Sequence, residues 1–99
     1  MADDEDRARA VAALRFRALG EETRLRILEQ LVGGEAPVSD LTVRLGIGQS
    51  LMSHHLRILR DAGLVTDRRE GRWIHYSIAA PALASCKLVL YALEPLRGR

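Results

Sequence analysis

Gln49, Ser50, Ser53, His54 and Arg57 recur at i, i+1, i+4, i+5 and i+8. At 3.6 residues per turn these positions share one face of a helix. Met52, Leu56 and Leu59 fall roughly opposite them. The polar face has the chemistry of nucleic-acid recognition. Glutamine and arginine pair with base edges, and serine and histidine bond phosphate oxygens. The face holds no acid; Asp61, the only acid of this helix, lies near its C-terminal end. A second basic group follows closely. Arg68, Arg69 and Arg72 surround Glu70-Gly71, a turn signal, and three arginines on a projecting turn suit minor-groove or backbone contacts. Taken singly, each group is an ordinary solvated surface. Their adjacency points to DNA.

Other reactive side chains are sparse. His55 adjoins the apolar stripe and reads as a packing or hydrogen-bonding residue. His75 lies in a strand pattern, where a solvated position is the default. It is also the candidate metal ligand: with carboxylates or a second subunit it would suit nickel or zinc. Cys86 falls on an apolar seam and reads as a buried small hydrophobe. As the single cysteine, it excludes an internal disulfide framework. No glycine loop cradles phosphate and no nucleophile is paired with a base, so the chain is not expected to be an enzyme.

The elements that must hold these groups can be read from periodicity and breakers. An acidic run, Asp3 to Asp6, precedes a helix over Arg7 to Leu19 with Val11, Leu14, Ala18 and Leu19 at helical spacing. Gly20 breaks it, and Glu21-Glu22 opens a second helix with Leu25, Leu28, Leu31 and Val32 as its stripe and Ile27 beside them. Gly33-Gly34 ends that helix. Pro37 precedes a short helix over Val38 to Leu45, and Gly46-Ile47-Gly48 makes a tight turn into the Gln49–Ala62 helix. Leu64 to Arg69 and Arg72 to Ile78 alternate in the strand manner around Glu70-Gly71, which predicts a β-hairpin. Ala80-Pro81 starts a last helix running to about Leu96, with Leu83, Cys86, Leu90 and Leu93 along one seam. The expected fold is mainly α with a β-hairpin wing: a winged helix-turn-helix in the order α-α-α-α-β-β-α.

Composition agrees. The chain of 99 residues is one domain's worth, 47% apolar and 28% charged, with only 4% aromatics, so the core must be aliphatic. No apolar stretch reaches the roughly 18–20 residues of a membrane span, and the acidic start is unlike a secretory signal. The cytoplasm is the expected compartment. Residues 1–40 carry six arginines and nine acids, whereas residues 41–99 carry eight arginines, one lysine and four acids. The basic excess lies with the helix-turn-helix and wing. Fourteen of the fifteen basic residues are arginine, the side chain suited to bidentate phosphate and guanine contacts.

The segment Phe16-Arg-Ala-Leu-Gly-Glu-Glu-Thr-Arg-Leu-Arg-Ile-Leu-Glu-Gln-Leu resembles the second-helix signature of the ArsR/SmtB family of bacterial repressors. Gln49-Ser-Leu-Met-Ser-His-His-Leu-Arg-Ile-Leu-Arg-Asp-Ala-Gly-Leu-Val is similar to that family's recognition helix, and Arg68-Arg-Glu-Gly-Arg-Trp-Ile-His-Tyr-Ser-Ile to its wing. The resemblance runs from about residue 11 to 96. It implies a homodimer paired through its first and last helices, with Val11, Leu14, Leu83, Cys86, Leu90 and Leu93 as candidate interface residues. It also implies a repressor, in many members released from DNA by a metal ion. The departures are specific. Where many members carry cysteines, this chain reads Glu35-Ala-Pro-Val-Ser-Asp-Leu. At the family's other ligand positions stand Ala80, Ala82, Leu93 and Leu96, none of which coordinates a metal.

The function expected from the sequence is therefore a homodimeric, DNA-binding regulator acting on an imperfect inverted repeat. A metal ion, another effector or a partner protein would modulate it. A winged helix used for protein–protein contact is the alternative. It predicts an interaction without the steep salt dependence of counterion release.

Overall fold

The computed structural model describes residues 3–96. Within them run α1 (Asp4–Leu19), α2 (Glu22–Gln30), β1 (Ala36–Pro37), α3 (Val38–Leu45), α4 (Gln49–Asp61), β2 (Val65–Glu70), β3 (Trp73–Ile78) and α5 (Ala80–Ala92). The winged helix-turn-helix expected from the sequence is present, with one added strand.

Helix starts follow their capping chemistry. The Asp3 side chain accepts a hydrogen bond from the Asp6 amide at 2.8 Å, so α1 begins within the acidic run and not at Arg7. Glu21 does the same for the Arg24 amide at 3.0 Å, opening α2. Gly46 ends α3 with φ 66°, a left-handed conformation that favours glycine, and donates its N–H to the Thr42 carbonyl at 2.9 Å. The chain is thereby turned into α4 within three residues. α5 stops at Ala92 and not near Leu96, because Pro95 disfavours helical backbone at Glu94.

The hairpin register runs from Val65 opposite Ile78 to Glu70 opposite Trp73. Its two turn residues are thus Gly71 and Arg72, one position later than Glu70-Gly71. Gly71 takes φ 58° there. β1 is the element the sequence did not announce. Ala36 pairs with Tyr76 and Pro37 with His75, giving the antiparallel order β1-β3-β2. Two residues are too few to show alternation, and Pro37, lacking an N–H, is confined to the sheet edge.

Ile27, Leu41, Met52, Leu56, Leu59, Leu64 and Val65 are fully buried and join α2, α3, α4 and β2 in one aliphatic core. Ile27 sits at the centre of the α2 contact, whereas Leu25 and Val32, read as part of its stripe, are exposed. No helix among the described residues is long and apolar enough to cross a membrane.

Candidate nucleic-acid interface

The buried side of α4 fixes its exposed side. Met52, His55, Leu56 and Leu59 are packed inward. Gln49, Ser50, Ser53, His54 and Arg57 are all solvent-exposed, as their spacing predicts. Gly48 caps α4 without a side-chain hydrogen bond, and its first turn contains no acid. The amide hydrogens of that turn therefore stay available to an anion, beside a polar face.

His55 anchors this helix through Arg24. The Arg24 guanidinium donates Nε–H to the Ala18 carbonyl at 2.6 Å and Nη2–H to the Arg17 carbonyl at 3.3 Å. Its Nη1 lies 3.2 Å from His55 Nδ1. Guanidinium nitrogens only donate, so Nδ1 accepts and the neutral ring carries its proton on Nε2. Burial holds the His55 imidazole below its ordinary pKa; the Glu21 carboxylate, 3.8 Å from Nδ1, pulls the other way and does not prevail. One arginine thus ties the end of α1 and the start of α2 to α4. Sequence reading placed His55 correctly as a packing residue but missed Arg24, which carried no periodic signal.

The wing arginines divide into two kinds. Arg69 and Arg72 are exposed near the tip. Arg68 is engaged: its Nη2 and Nε donate to Glu35 at 2.6 and 3.2 Å, and its Nη1 lies 3.6 Å from Glu70. That pairing lowers the Glu35 pKa and raises that of Arg68. The alternation of the strands explains the split. Arg68 lies opposite His75 on the sheet face toward Glu35, and Arg69 lies opposite Ile74 on the other.

His75 stands between two carboxylates. Glu35 is 4.0 Å from its Nδ1 and Glu70 is 3.4 Å from its Nε2, which is buried without a hydrogen-bond partner. The two acids thus lie off different ring nitrogens, and Glu35 is held by Arg68. One ion bound to either nitrogen would meet one carboxylate only. Among the described residues no three His, Cys, Asp or Glu side chains converge as a metal site. The surroundings of His75 do not fit a nickel or zinc centre built within one protomer.

The expected dimer seam also divides. Cys86 is 5% exposed and belongs to the protomer's own core, with Leu83 half-buried against it. Val11, Leu14, Leu90 and Leu93 are open to solvent, as are Leu88 and Tyr91 near the end of α5. The exposed apolar side chains of α5 thus gather in one short stretch at its C-terminal end.

Between α4, the start of α3 and β3 lies a cleft of about 360 Å³. Arg57, Arg60 and Arg72 line it, with Gln49, Ser39 and Ser53, over a floor that includes the buried Leu56 and Tyr76. Arg60 was not among the residues singled out by sequence, because its place on the wing side of α4 follows from how the hairpin packs.

Comparison with known proteins identifies this architecture. The sequence pattern of the "Bacterial regulatory protein, arsR family" matches residues 21–67. The transcriptional activator HlyU of Vibrio cholerae is 34% identical over 90 residues, covering 91% of this chain and 82% of HlyU. This chain belongs to the arsR family. Within the family it is also similar to the HTH-type transcriptional regulator NmtR of Mycobacterium tuberculosis, at 46% identity over 74 residues, 75% of this chain. That match spans 62% of NmtR's length. Among solved structures, the homodimeric winged helix-turn-helix DNA-binding domain of a Mycobacterium bovis protein superposes with a TM-score of 0.78. Identity there is 30%, over 93% of this chain and 87% of that one. The ArsR/SmtB resemblance and the winged helix-turn-helix fold are therefore correct.

Proposed function

We propose that this chain acts in the cytoplasm as a homodimeric repressor that recognises an imperfect inverted repeat in double-stranded DNA. The observation that carries the reading is the exposed, acid-free face of α4, with an uncapped helix start at one end and the Arg69/Arg72 wing tip beside it. Two copies of α4 would enter successive major grooves about 34 Å apart. Gln49, Ser50, Ser53, His54 and Arg57 read bases or position the helix, and Arg69 and Arg72 grip from the wing. Repression follows from occupying promoter DNA.

The test is fluorescence anisotropy on the protein's own promoter and on a scrambled duplex. Arg57→Ala is expected to weaken promoter binding by about 1–3 kcal/mol, the worth of a bidentate base contact, and scrambled DNA much less. An equal loss on both duplexes would make Arg57 a phosphate contact. Wild-type binding without salt dependence or sequence preference would favour the protein-contact alternative.

Arg68 has a different place in this reading. Because Glu35 holds it, Arg68→Ala is expected to cost clearly less DNA affinity than Arg69→Ala at equal salt. Equal losses would mean that Arg68 leaves Glu35 when DNA arrives.

An effector completes the reading. At His75 a nickel or zinc ion would need further ligands from a second subunit or a partner protein. The binding assay is therefore run with chelator and then with each metal. A change in affinity with one metal supports a shared site; none leaves a different effector.

A further inference from the structure

Between α1 and α5 lies a second cleft, of about 280 Å³. That is near the lower end of the roughly 300–1,000 Å³ of small-molecule sites. Val11, Ala12 and Arg15 bring one face of α1 to it, and Cys86 and Val89 face them from α5. Arg15 and Ser85 are the polar members of the lining, and no carboxylate belongs to it. Arg15 is half-buried, yet among the described residues no Asp or Glu pairs with it. Its Nε–H donates to the Ala62 carbonyl at 3.2 Å, and neither Nη nitrogen bonds a described residue. Arg24, likewise half-buried, engages all three of its nitrogens. A guanidinium drawn partly out of water and left with open donors beside an apolar cleft attracts an anion that has an apolar body.

We infer that this cleft binds a small apolar monocarboxylate, with a body of about one aromatic ring or six carbons. The carboxylate pairs with the open donors of Arg15, and the body lies among Val11, Ala12, Cys86 and Val89. A carboxylate matches the planar fork and brings a single charge, whereas a phosphate would carry more charge and hydration against an apolar wall. The site also has a route to α4. Ala62, the acceptor of the Arg15 Nε–H bond, is the C-cap of the helix that carries Gln49 and Arg57. A bound carboxylate competes with Ala62 for Arg15 and loosens that end of α4. Promoter affinity then falls, a consequence that rests on the DNA-binding reading above and gives its effector a chemical class. The competing occupant is a side chain of a second copy, because Val11 is also a candidate interface residue.

The full chain is titrated with benzoate and hexanoate at ionic strength matched with chloride, and with benzamide and hexanamide as uncharged counterparts. Saturable NMR shifts of the Arg15 Nε–H and of the Val11 and Val89 methyls are expected with the acids. The amides should bind roughly tenfold more weakly, for want of the charged hydrogen bonds. Arg15→Met, which keeps an apolar stem, should erase the advantage of acid over amide, and Arg15→Lys should restore part of it. Ala12→Leu, which fills the cleft and leaves Arg15 in place, should abolish binding of both. The wild-type comparison of acid with amide stands even where Arg15→Met fails to fold. No saturable shift with either acid at millimolar concentration, or equal affinity for acid and amide, would overturn the inference. So would Val11 and Val89 shifts that follow protein dilution and not benzoate, since a second copy would then fill the cleft. On the promoter, benzoate should weaken wild-type binding several-fold and leave Ala12→Leu unaffected. Unchanged wild-type affinity in benzoate would overturn the route through Ala62. A protein that binds benzoate but no DNA would overturn the functional reading and leave the carboxylate site standing.

Discussion

Arg24→Ala is expected to lower the unfolding free energy by about 2–4 kcal/mol, the range for removing several hydrogen bonds from a charged donor. Against a total of roughly 5–15 kcal/mol for a small domain, that is a large fraction. The guanidinium spans three elements: the Arg17 and Ala18 carbonyls at the end of α1, its own position in α2, and His55 on α4. Its removal takes this donor from the part-buried Ala18 carbonyl and His55 Nδ1, while the Gly20 amide still donates to the Arg17 carbonyl, and frees α4 from its support. Arg24→Lys should recover only part of the loss, because one ammonium cannot reach acceptors spread over a planar fork. Urea unfolding at fixed protein concentration measures this, and a loss below about 0.5 kcal/mol would show that water replaces the network.

The same contact makes stability depend on pH. His55 has a depressed pKa in the folded protein, mainly through burial. The unfolded chain therefore takes up a proton near its ordinary value of about 6.5, while the folded protein does not. Stability from this group is fully present above that pH and is lost as pH falls toward the folded pKa. The urea midpoint should drop between about pH 7.5 and 5.5. His55→Gln, whose side-chain carbonyl can still accept from Arg24, should flatten that part of the profile. A midpoint independent of pH over that window in the wild type would sink the assignment.

Leu90→Glu carries the second large effect. Leu90 is 57% exposed on the last turns of α5, among the uncovered Leu88, Tyr91 and Leu93. In the proposed dimer a partner covers this surface, so a carboxylate there would be buried without a counter-charge. The variant is expected to sediment as a single chain at micromolar concentration where the wild type sediments as two. Its promoter affinity should fall by roughly a hundredfold or more, because two linked half-site contacts become one. Val43→Glu, at an 81% exposed apolar position on α3, serves as the control and should leave sedimentation unchanged. A Leu90→Glu protein that remained a dimer would move the interface elsewhere, with α1 and its exposed Val11 and Leu14 next to be tried.

Much of this molecule was legible in its residues alone. The face of α4, the tight turn around Gly46 and the hairpin around Gly71 are local matters. Side-chain period and the conformational freedom of glycine settle them within a few residues. The family match and the exposed Gln49, Ser50, Ser53, His54 and Arg57 followed from that local code.

What tertiary structure alone decided lies at long sequence separation. Arg68 reaches Glu35 across 33 residues, and Arg24 reaches His55 across 31. No periodicity reports such pairs, so three wing arginines looked equivalent and Arg24 was not singled out. Cys86 was read correctly as a buried hydrophobe, yet only packing against α1 shows that it closes its own protomer while Leu90 stays open. The cleft between α4 and β3 has the same origin. Its arginines come from a helix and a turn that were each legible, but their facing walls exist only once the hairpin folds back on the core through Val65 and Tyr76.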